Sequence, residues 1–325
     1  MRRRTFLAAS LGSAVVALEG YQPDATLFTG AALAFGTTIS ISIVHADASV
    51  AEAAIHDGLA AAAGVDRLMS IYHPASQVFQ LNRDGLLEGA HPDLLTVLAQ
   101  ARALSASTGG AFDITVQPLW QAFRLATDHG ALPTAAQRLA ARSRVRWRDV
   151  RVDGQRVELA RPGMAITLNG LAQGFAADLA MAAVRAYGVN DALLDTGEFS
   201  ARGAGVLARP WILGVPDPRD AAALAARLRV AGRCVATSGD YASTFTPDFL
   251  HHHIFDPATG DSPPELASVT VVAPTAMLAD GLATAFMVTG ARKAHALAAA
   301  LDGVDLMTIN KRGVVWRSSG FPVVA

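Results

Sequence analysis

The sequence has almost no cysteine and little charge. Cys234 is the only cysteine among 325 residues, so no disulfide can form within the chain and no cysteine-based metal cage is possible. Charged residues make up 17% of the chain and the net charge is −1, which argues against a nucleic-acid partner. Because 51% of the residues are apolar, the chain is predicted to be a folded globular protein and not a disordered one.

Several common catalytic signatures are also missing. The chain has no G-x-S-x-G elbow, no Walker motif, no G-x-G-x-x-G fingerprint and no H-E-x-x-H zinc motif. These absences disfavour a serine hydrolase, a P-loop enzyme and a zinc protease. Three consecutive histidines occupy 251–253, but adjacent residues do not easily converge on one ion, so a solvated loop is favoured over a zinc site. His253 alone is either a general base or an ordinary histidine at the start of a strand.

No apolar run near the N-terminus is long enough to span a membrane. Residues 1–25 begin with a basic stretch, which includes Arg3 and Arg4, and continue with a short apolar run. This segment resembles a twin-arginine export signal and predicts an exported, periplasmic protein. The alternative is a short apolar N-terminal segment in a cytoplasmic protein. Residues 26–325 are predicted to form a single domain.

The segment 268–290 contains two polar residues in an apolar setting. A β-branched run predicts a buried strand over 269–272, which Pro274 ends, and an apolar, alanine-rich helix follows. Asp280 and Thr284 interrupt that helix four residues apart and therefore share one face. A cation that takes oxygen ligands, most naturally Mg²⁺, would satisfy both side chains. Alternatively, the aspartate bonds to nearby backbone amides and the threonine bonds to the carbonyl four residues earlier.

The rest of the chain mixes helices and strands without strict alternation, which favours the α+β class. Predicted strands lie at 36–44, 150–159 (a hairpin), 192–195, 211–215, 234–237, 304–309 and 313–317. Predicted helices lie at 50–69, 219–228 and 291–301, with another beginning near Pro92, and residues 71–85 are predicted to form a loop. Residues 165–188 predict a strand, a glycine turn and a helix. Gly170 and Gly174 at this turn expose backbone groups that can bind an anion or a metal.

Seven segments, taken in chain order, resemble the FAD:protein FMN transferases of the ApbE type. They include TGGAFDITVQPL at 108–119, GLAQGFAAD at 170–178 and HIFDPATG at 253–260. The others lie at 36–38, 69–82, 236–241 and 268–290. Each segment alone is a weak signal, but seven in order over most of the chain indicate the family's fold. The resemblance implies mixed sheets packed with helices, in two lobes around a flavin cleft.

The resemblance also implies a function. Enzymes of this type bind FAD with Mg²⁺ and move its FMN half onto a serine or threonine hydroxyl of a partner flavoprotein, releasing AMP. Two alternatives stay open: a pyrophosphatase that cuts FAD to FMN and AMP, and a non-catalytic protein that binds or delivers FAD. Any membrane association is expected only through the partner or an uncleaved signal.

Site residues follow from the matching motifs. The implied metal ligands are the side chains of Asp280 and Thr284 and the carbonyl of Gly170. His253 is the candidate general base, with Asp256 as the alternative. The residues implied to bind FAD are Phe35, Tyr72, Ala111, Phe112, Asp113, Thr167, Gln173, Ser238 and Phe255.

Several positions depart from the family pattern, three of them among the residues implied to bind FAD. Asn169 stands where the family usually has a glycine. Thr167 stands where the family usually has an acid, Gln173 where it has Lys or Glu, and Phe35 where it has Met. Glu198 replaces a glycine. We expect the missing charge at 167 to weaken or alter FAD binding, and the larger side chain at 198 to narrow the pocket.

Overall fold

The computed structural model describes residues 26–206 and 209–324. The predicted export signal at 1–25 lies outside the described residues. Within the described ranges, no helix combines the length and apolar character needed to cross a membrane.

An antiparallel sheet of eight strands forms the centre of the molecule. In spatial order its strands are β1 (Thr26–Ala34), β2 (Thr37–His45), β6 (Ala192–Asp195), β7 (Phe199–Arg202), β10 (Cys234–Gly239), β11 (Leu266–Ala273), β12 (Asp305–Asn310) and β13 (Val315–Arg317). A three-stranded sheet has the order β3 (Leu86–Leu87), β5 (Arg156–Leu159), β4 (Val150–Asp153), and the hairpin β8 (Trp211–Pro216) with β9 (Leu224–Val230) completes the strands.

Two apolar clusters cover opposite sides of the large sheet. In β2, alternation buries Ile39, Ile41 and Ile43 against the helices. All eight residues of β11 are buried, because helices cover one face and the β8–β9 hairpin contributes to a second cluster that contains Val272. A strand buried on both faces has a continuous apolar sequence, which is what residues 266–273 show.

Eight α-helices surround this sheet in the described ranges. They are α1 (Ala48–Met69), α2 (Gln77–Asp84), α3 (Pro92–Ser107), α4 (Gln117–Asp128), α5 (Ala135–Arg142), α6 (Ala172–Ala186), α7 (Ala276–Thr289) and α8 (Ala291–Ala298). Helix α6 packs between α1 and α7, and α7 lies on β10 and β11. Gly174 permits the close approach of α6 and α7, because a Cβ there would overlap the carbonyl of Ala276.

The helices and antiparallel sheets confirm the predicted α+β class, while three local predictions are wrong. Residues 77–84 form α2 and not a loop. Residues 224–230 form β9 and not part of a helix. Residues 165–168 are extended but belong to no strand, because the side-chain amide of Asn82 bonds both backbone groups of Ile166, at 2.6 and 2.8 Å.

Candidate active site

Helix α7 carries Asp280 and Thr284, and its N-terminus is fixed by two oxygen-bearing side chains. Thr275 caps the helix by accepting a hydrogen bond from the amide of Leu278. Asp178, on α6, accepts hydrogen bonds from the amides of Ala276 and Met277, at 2.8 and 3.0 Å. These bonds satisfy amides that a helix start leaves unpaired. They tie α7 to α6 and so set the position of Asp280, about one turn into the helix.

The Asp280 carboxylate is buried without a cationic partner among the described residues. It is 4% exposed, and its Oδ2 accepts a hydrogen bond of 3.1 Å from the amide of Gly174. Burial raises the pKa of Asp280 to about 7, and the nearby charge of Asp178 adds to this. A bound cation would stabilise the charged form of this carboxylate.

Oxygen atoms from two other segments lie against α7, the helix that carries Asp280 and Thr284. The Thr284 Oγ1 lies 3.2 Å from the Ser238 Oγ on β10. A Cβ placed on Gly170 would lie 2.9 Å from the same Thr284 oxygen, so the turn before α6 touches α7 directly. The Gly170 carbonyl also faces α7, since its oxygen lies 3.7 Å from where a Cβ on Gly281 would be. The predicted metal residues and Ser238 therefore surround one small region.

This oxygen set fits a hard divalent cation such as Mg²⁺. It comprises a carboxylate, two hydroxyls and a backbone carbonyl, which are donors that Mg²⁺ accepts together with water or phosphate oxygens. No group of three or more His, Cys, Asp or Glu side chains that could hold a metal occurs in the described ranges. The fit therefore depends on the single carboxylate of Asp280 and on neutral oxygens.

Glu198 is a second buried carboxyl near this site, and no pattern in the sequence indicates its burial. Its Oε2 accepts a hydrogen bond of 3.2 Å from the amide of Thr237, and it is 8% exposed. Burial raises the pKa of Glu198 well above its usual value, and the charge of Asp280 raises it further. The carboxyl is held in the protein interior beside Asp280, and Glu198 does not line the cleft described next. The expected narrowing of the pocket stays a prediction.

Three residues predicted to bind FAD line one cleft of about 260 Å³. They are Phe35 from the β1–β2 turn, Tyr72 after α1 and Gln173 in the first turn of α6. Asn169 and Ala172 also line the cleft. The Gln173 amide donates a hydrogen bond of 2.9 Å to the carbonyl of Thr196. Because Gln173 is next to Gly174, the cleft lies next to the residue whose amide bonds Asp280.

The two aromatic residues of the cleft differ in exposure, because Phe35 is half-buried against the core and Tyr72 is exposed. Tyr72 is 68% exposed, and its ring contacts Trp120 edge-on with the centroids 6.3 Å apart. Phe35 adopts a left-handed backbone conformation, with φ of 54°, which residues other than glycine rarely do. Such strain is often retained at binding sites.

Four further predicted FAD residues lie in or beside a buried turn. Asp113 accepts hydrogen bonds from Thr115 and from the amide of Trp147, and burial raises its pKa. Phe112 is buried, and its ring edge would lie 3.4 Å from a Cβ on Gly170. Ala111 is half-buried, and the amide of Thr167 bonds the carbonyl of Ile114 at 2.8 Å. Their role in FAD binding stays a prediction.

The candidate base lies in a different loop. His253 is half-buried, and its Nδ1 lies 3.1 Å from the carbonyl oxygen of Ser243. Because a carbonyl only accepts, Nδ1 carries the proton and the neutral ring keeps Nε2 free as an acceptor. Burial lowers the pKa of His253. The ring is therefore neutral near pH 7, as a general base requires.

Asp256 and Phe255 follow His253 but have structural contacts of their own. The Asp256 Oδ1 accepts a hydrogen bond of 2.8 Å from the amide of Ala258, which closes the turn at 256–260. Phe255 is 3% exposed and packs against Phe123 and Phe245, with ring centroids 5.0 and 6.1 Å away. Their predicted roles as alternative base and as FAD contact stay predictions.

The fold and site define an α+β protein in which a cluster of buried and half-buried oxygen-bearing residues lies next to an aromatic cleft. The ApbE family profile matches residues 35–308, and the chain belongs to the ApbE family. This confirms the resemblance found in the sequence.

Individual relatives agree with this family membership. An FAD:protein FMN transferase of Klebsiella pneumoniae (strain 342) is 29% identical, over 98% of this chain and 97% of its own length. One of Salmonella typhimurium is 31% identical, over 79% of this chain and 77% of its own. Among solved structures, the ApbE protein of Thermotoga maritima has a TM-score of 0.80 at 27% identity, covering 90% of this chain and 97% of its own. The apo flavinyl transferase ApbE of Pseudomonas stutzeri has a TM-score of 0.77 at 29% identity, covering 91% and 95%.

Proposed function

We propose that this chain transfers the FMN half of FAD to a serine or threonine hydroxyl of a partner flavoprotein, with Mg²⁺, and releases AMP. The observation that carries the proposal is the convergence of Asp280, Thr284, Ser238 and the Gly170 carbonyl beside an aromatic cleft. The names of the curated relatives support the same activity.

Asp280, Thr284 and Gly170 would hold the metal. When bound there, Mg²⁺ would neutralise charge on the diphosphate oxygens and so favour breaking the bond between the two phosphates. Asp280 supplies the only negative charge among these donors. Ser238 is close enough to Thr284 to orient its hydroxyl or to bond a phosphate oxygen directly.

The other residues would bind the flavin and move a proton. Phe35 and Tyr72 present aromatic surface to a planar ring, and Gln173 anchors the turn at 196 behind the cleft. The Nε2 atom of His253 would take the proton of the acceptor hydroxyl as its oxygen attacks the phosphate of the FMN half. AMP then leaves with the electron pair of the broken bond.

Mass spectrometry of a candidate acceptor, incubated with FAD, Mg²⁺ and this protein, tests the proposal. A mass gain equal to one FMN, together with free AMP, is the expected result. Free FMN and AMP without that gain would show an FAD pyrophosphatase instead. Intact FAD that stays bound to the protein would show a binding or delivery protein.

We also propose that the chain is exported and acts on a periplasmic or membrane-bound flavoprotein. The support is the sequence of residues 1–25, in which Arg3 and Arg4 precede an apolar run. Replacing both arginines with lysine should retain the protein in the cytoplasm of its producing cell. Fractionation and immunoblotting would locate the variant. Export equal to that of the wild type would contradict the twin-arginine signal.

A further inference from the structure

A fully buried carboxylate at the end of β10 binds two cationic side chains. Asp240 is 0% exposed. Its two oxygens accept hydrogen bonds of 2.8 and 2.7 Å from the guanidinium of Arg219, and one of them also accepts a bond of 2.6 Å from the ammonium of Lys311. Lysine occurs at only two positions in the chain, 293 and 311, and the Lys311 side chain is partly buried against Asp240, at 15% exposure.

Both cations also hold the same residue, Phe249. The guanidinium of Arg219 lies over its ring, 4.3 Å from the centroid, and Lys311 donates a hydrogen bond of 2.5 Å to its carbonyl. Phe249 has a φ of 59°, which is in the left-handed region that a bulky side chain disfavours. The three charged residues therefore stabilise a backbone conformation that the phenylalanine would not adopt by itself.

The loop 241–253 begins next to Asp240 and ends at His253. The loop turns back around Phe249. The amide of Phe245, before the turn, donates a hydrogen bond of 2.8 Å to the carbonyl of His251, after the turn. The returning strand brings the amide of His253 to the carbonyl of Ser243 at 3.0 Å, and the same carbonyl accepts the ring Nδ1 proton. The conformation of Phe249 and the orientation of the His253 ring are thus parts of one folded loop.

The three charged residues come from separate parts of the fold. Arg219 lies in the β8–β9 connection, Asp240 follows β10 and Lys311 follows β12. None of them lines the aromatic cleft. Loss of any one would weaken the contacts that hold the turn at Phe249 and would not remove a residue that lines the cleft.

We propose that Asp240, Arg219 and Lys311 form a positioning cluster that fixes the loop 241–253 and, through it, the imidazole of His253 for proton transfer. The inference rests on the proposed role of His253. Misplacing a reacting group by about 1 Å can cost on the order of 100-fold in rate. Weakening the cluster should therefore slow the chemical step and leave FAD binding nearly unchanged.

The test compares Lys311→Met with Lys293→Met, which removes the exposed lysine of α8. For each protein we would measure the melting temperature, the FAD dissociation constant, kcat for FAD turnover and the ¹H–¹³C resonances of the His253 ring. Those resonances are assigned by their disappearance in His253→Gln. Arg219→Lys is a milder second variant. It keeps a positive charge at position 219 to pair with Asp240 but removes the guanidinium that lies over Phe249. It is therefore the variant to use if Lys311→Met does not fold.

In Lys311→Met, kcat should fall about 10- to 100-fold, the FAD dissociation constant should change less than about 3-fold, and the His253 resonances should move. Arg219→Lys should show the same pattern with a smaller loss, and Lys293→Met should match the wild type. A fall in kcat with unmoved His253 resonances in both cluster variants would overturn the proposal, as would unchanged kcat and resonances. If the wild type does not turn over FAD, moving resonances would still support the positioning cluster while the proposed function fails.

Discussion

Gly170 and Thr284 touch across the turn before α6 and the middle of α7. A Cβ on Gly170 would lie 2.9 Å from the Thr284 Oγ1 and 3.4 Å from the ring edge of Phe112. No side chain larger than hydrogen fits there without displacing one of the two. This contact brings the Gly170 carbonyl toward the region that we propose for the metal.

Gly170→Ala should therefore damage the site more than the fold. The added methyl group displaces the Thr284 hydroxyl or the turn itself, and we expect Mg²⁺-dependent turnover to fall about 100-fold. Overpacking at this one contact should cost only about 1–2 kcal/mol of unfolding free energy. Steady-state kinetics and urea denaturation check the two effects.

Gly64→Ala is the matched control, since it adds the same methyl group where there is room. Gly64 lies in α1, and the nearest atom to an added Cβ is the end of the Arg67 side chain at 3.9 Å. Replacing a helical glycine with alanine should raise the unfolding free energy by about 0.5–1 kcal/mol and leave turnover intact. Equal activity in the two alanine variants would contradict the contact-based argument.

Asp280→Asn should weaken Mg²⁺ binding while leaving the metal-free fold as stable as the wild type or more so. Burial without a cationic partner disfavours the charged carboxylate, so an amide of the same shape costs the folded state less. A metal site that loses its single carboxylate should lose at least about 100-fold in affinity, since even changes outside the ligand set cost 10- to 100-fold.

Isothermal titration with Mg²⁺ and thermal melting in a chelator measure these two quantities. Asp302→Asn serves as the control, because Asp302 is exposed in the α8–β12 connection. Wild-type affinity for Mg²⁺ in Asp280→Asn would exclude the carboxylate as a ligand. If metal-free Asp280→Asn were strongly destabilised, the charged carboxylate of Asp280 would be stabilising the fold itself.

The sequence was informative where local pattern and tertiary structure agree. The β-branched run 269–272, Pro274 and the spacing of Asp280 and Thr284 correctly predicted a buried strand followed by a helix with both polar residues on one face. This is because strand β11 is buried on both faces and α7 begins directly after it, so no distant residue was needed to define either element.

Two of the three wrong predictions concern segments in which local composition does not determine the secondary structure. A helix was predicted at 219–228, but pairing with β8 gives β9 its alternating burial at Ala226, Leu228 and Val230. The polar residues around 76–85 suggested a loop. Ser76 and Gly85 instead cap the two ends of α2.

Other features depend on contacts between distant segments and had no local signature. Glu198 is buried beside Asp280 because the turn after β6 packs against α6, and Asp240 meets Arg219 and Lys311 only in the folded chain. Sequence spacing cannot show such meetings, since each partner lies on a different element.

His252 should make the fold lose stability below neutral pH. Its Nδ1 accepts a hydrogen bond from the amide of Ile254, and its Nε2 donates to the carbonyl of Pro263. A proton on Nδ1 would break the first bond. Burial, then the charge of Lys311, lowers the pKa of His252 to about 4. As the pH falls from about 6.5 toward 4, His252 binds a proton in the unfolded chain but not in the native state. The unfolding free energy therefore decreases.

The loss due to His252 should reach about 2.5 kcal/mol at pH 4.5, from the shift between the two pKa values. His252→Gln should remove that part, so its unfolding free energy should depend less on pH than that of the wild type. His56→Gln is the control, because the His56 side chain is 83% exposed. Urea denaturation at pH 7 and pH 4.5 gives the comparison. An identical loss in wild type and His252→Gln would disprove the assignment.

Phe35 should contribute to FAD binding from a strained backbone conformation. It forms a two-residue turn with Gly36, and both have positive φ, at 54° and 74°. A turn of this shape favours asparagine followed by glycine, so in Phe35→Asn the turn itself should gain about 1 kcal/mol. That gain offsets the lost packing of the half-buried ring against the core, so the unfolding free energy should change by less than about 1 kcal/mol. The same change removes aromatic surface from the cleft and should weaken FAD binding about 10-fold.

Leu33→Thr tests whether the effect belongs to the cleft or only to an exposed apolar surface. Leu33 lies two residues earlier, on β1, and is 83% exposed. Because it does not line the cleft, its replacement should leave FAD affinity unchanged. Flavin fluorescence titration and urea denaturation measure both variants. If Phe35→Asn were more stable and bound FAD as well as the wild type, the strained turn would have no role in flavin binding.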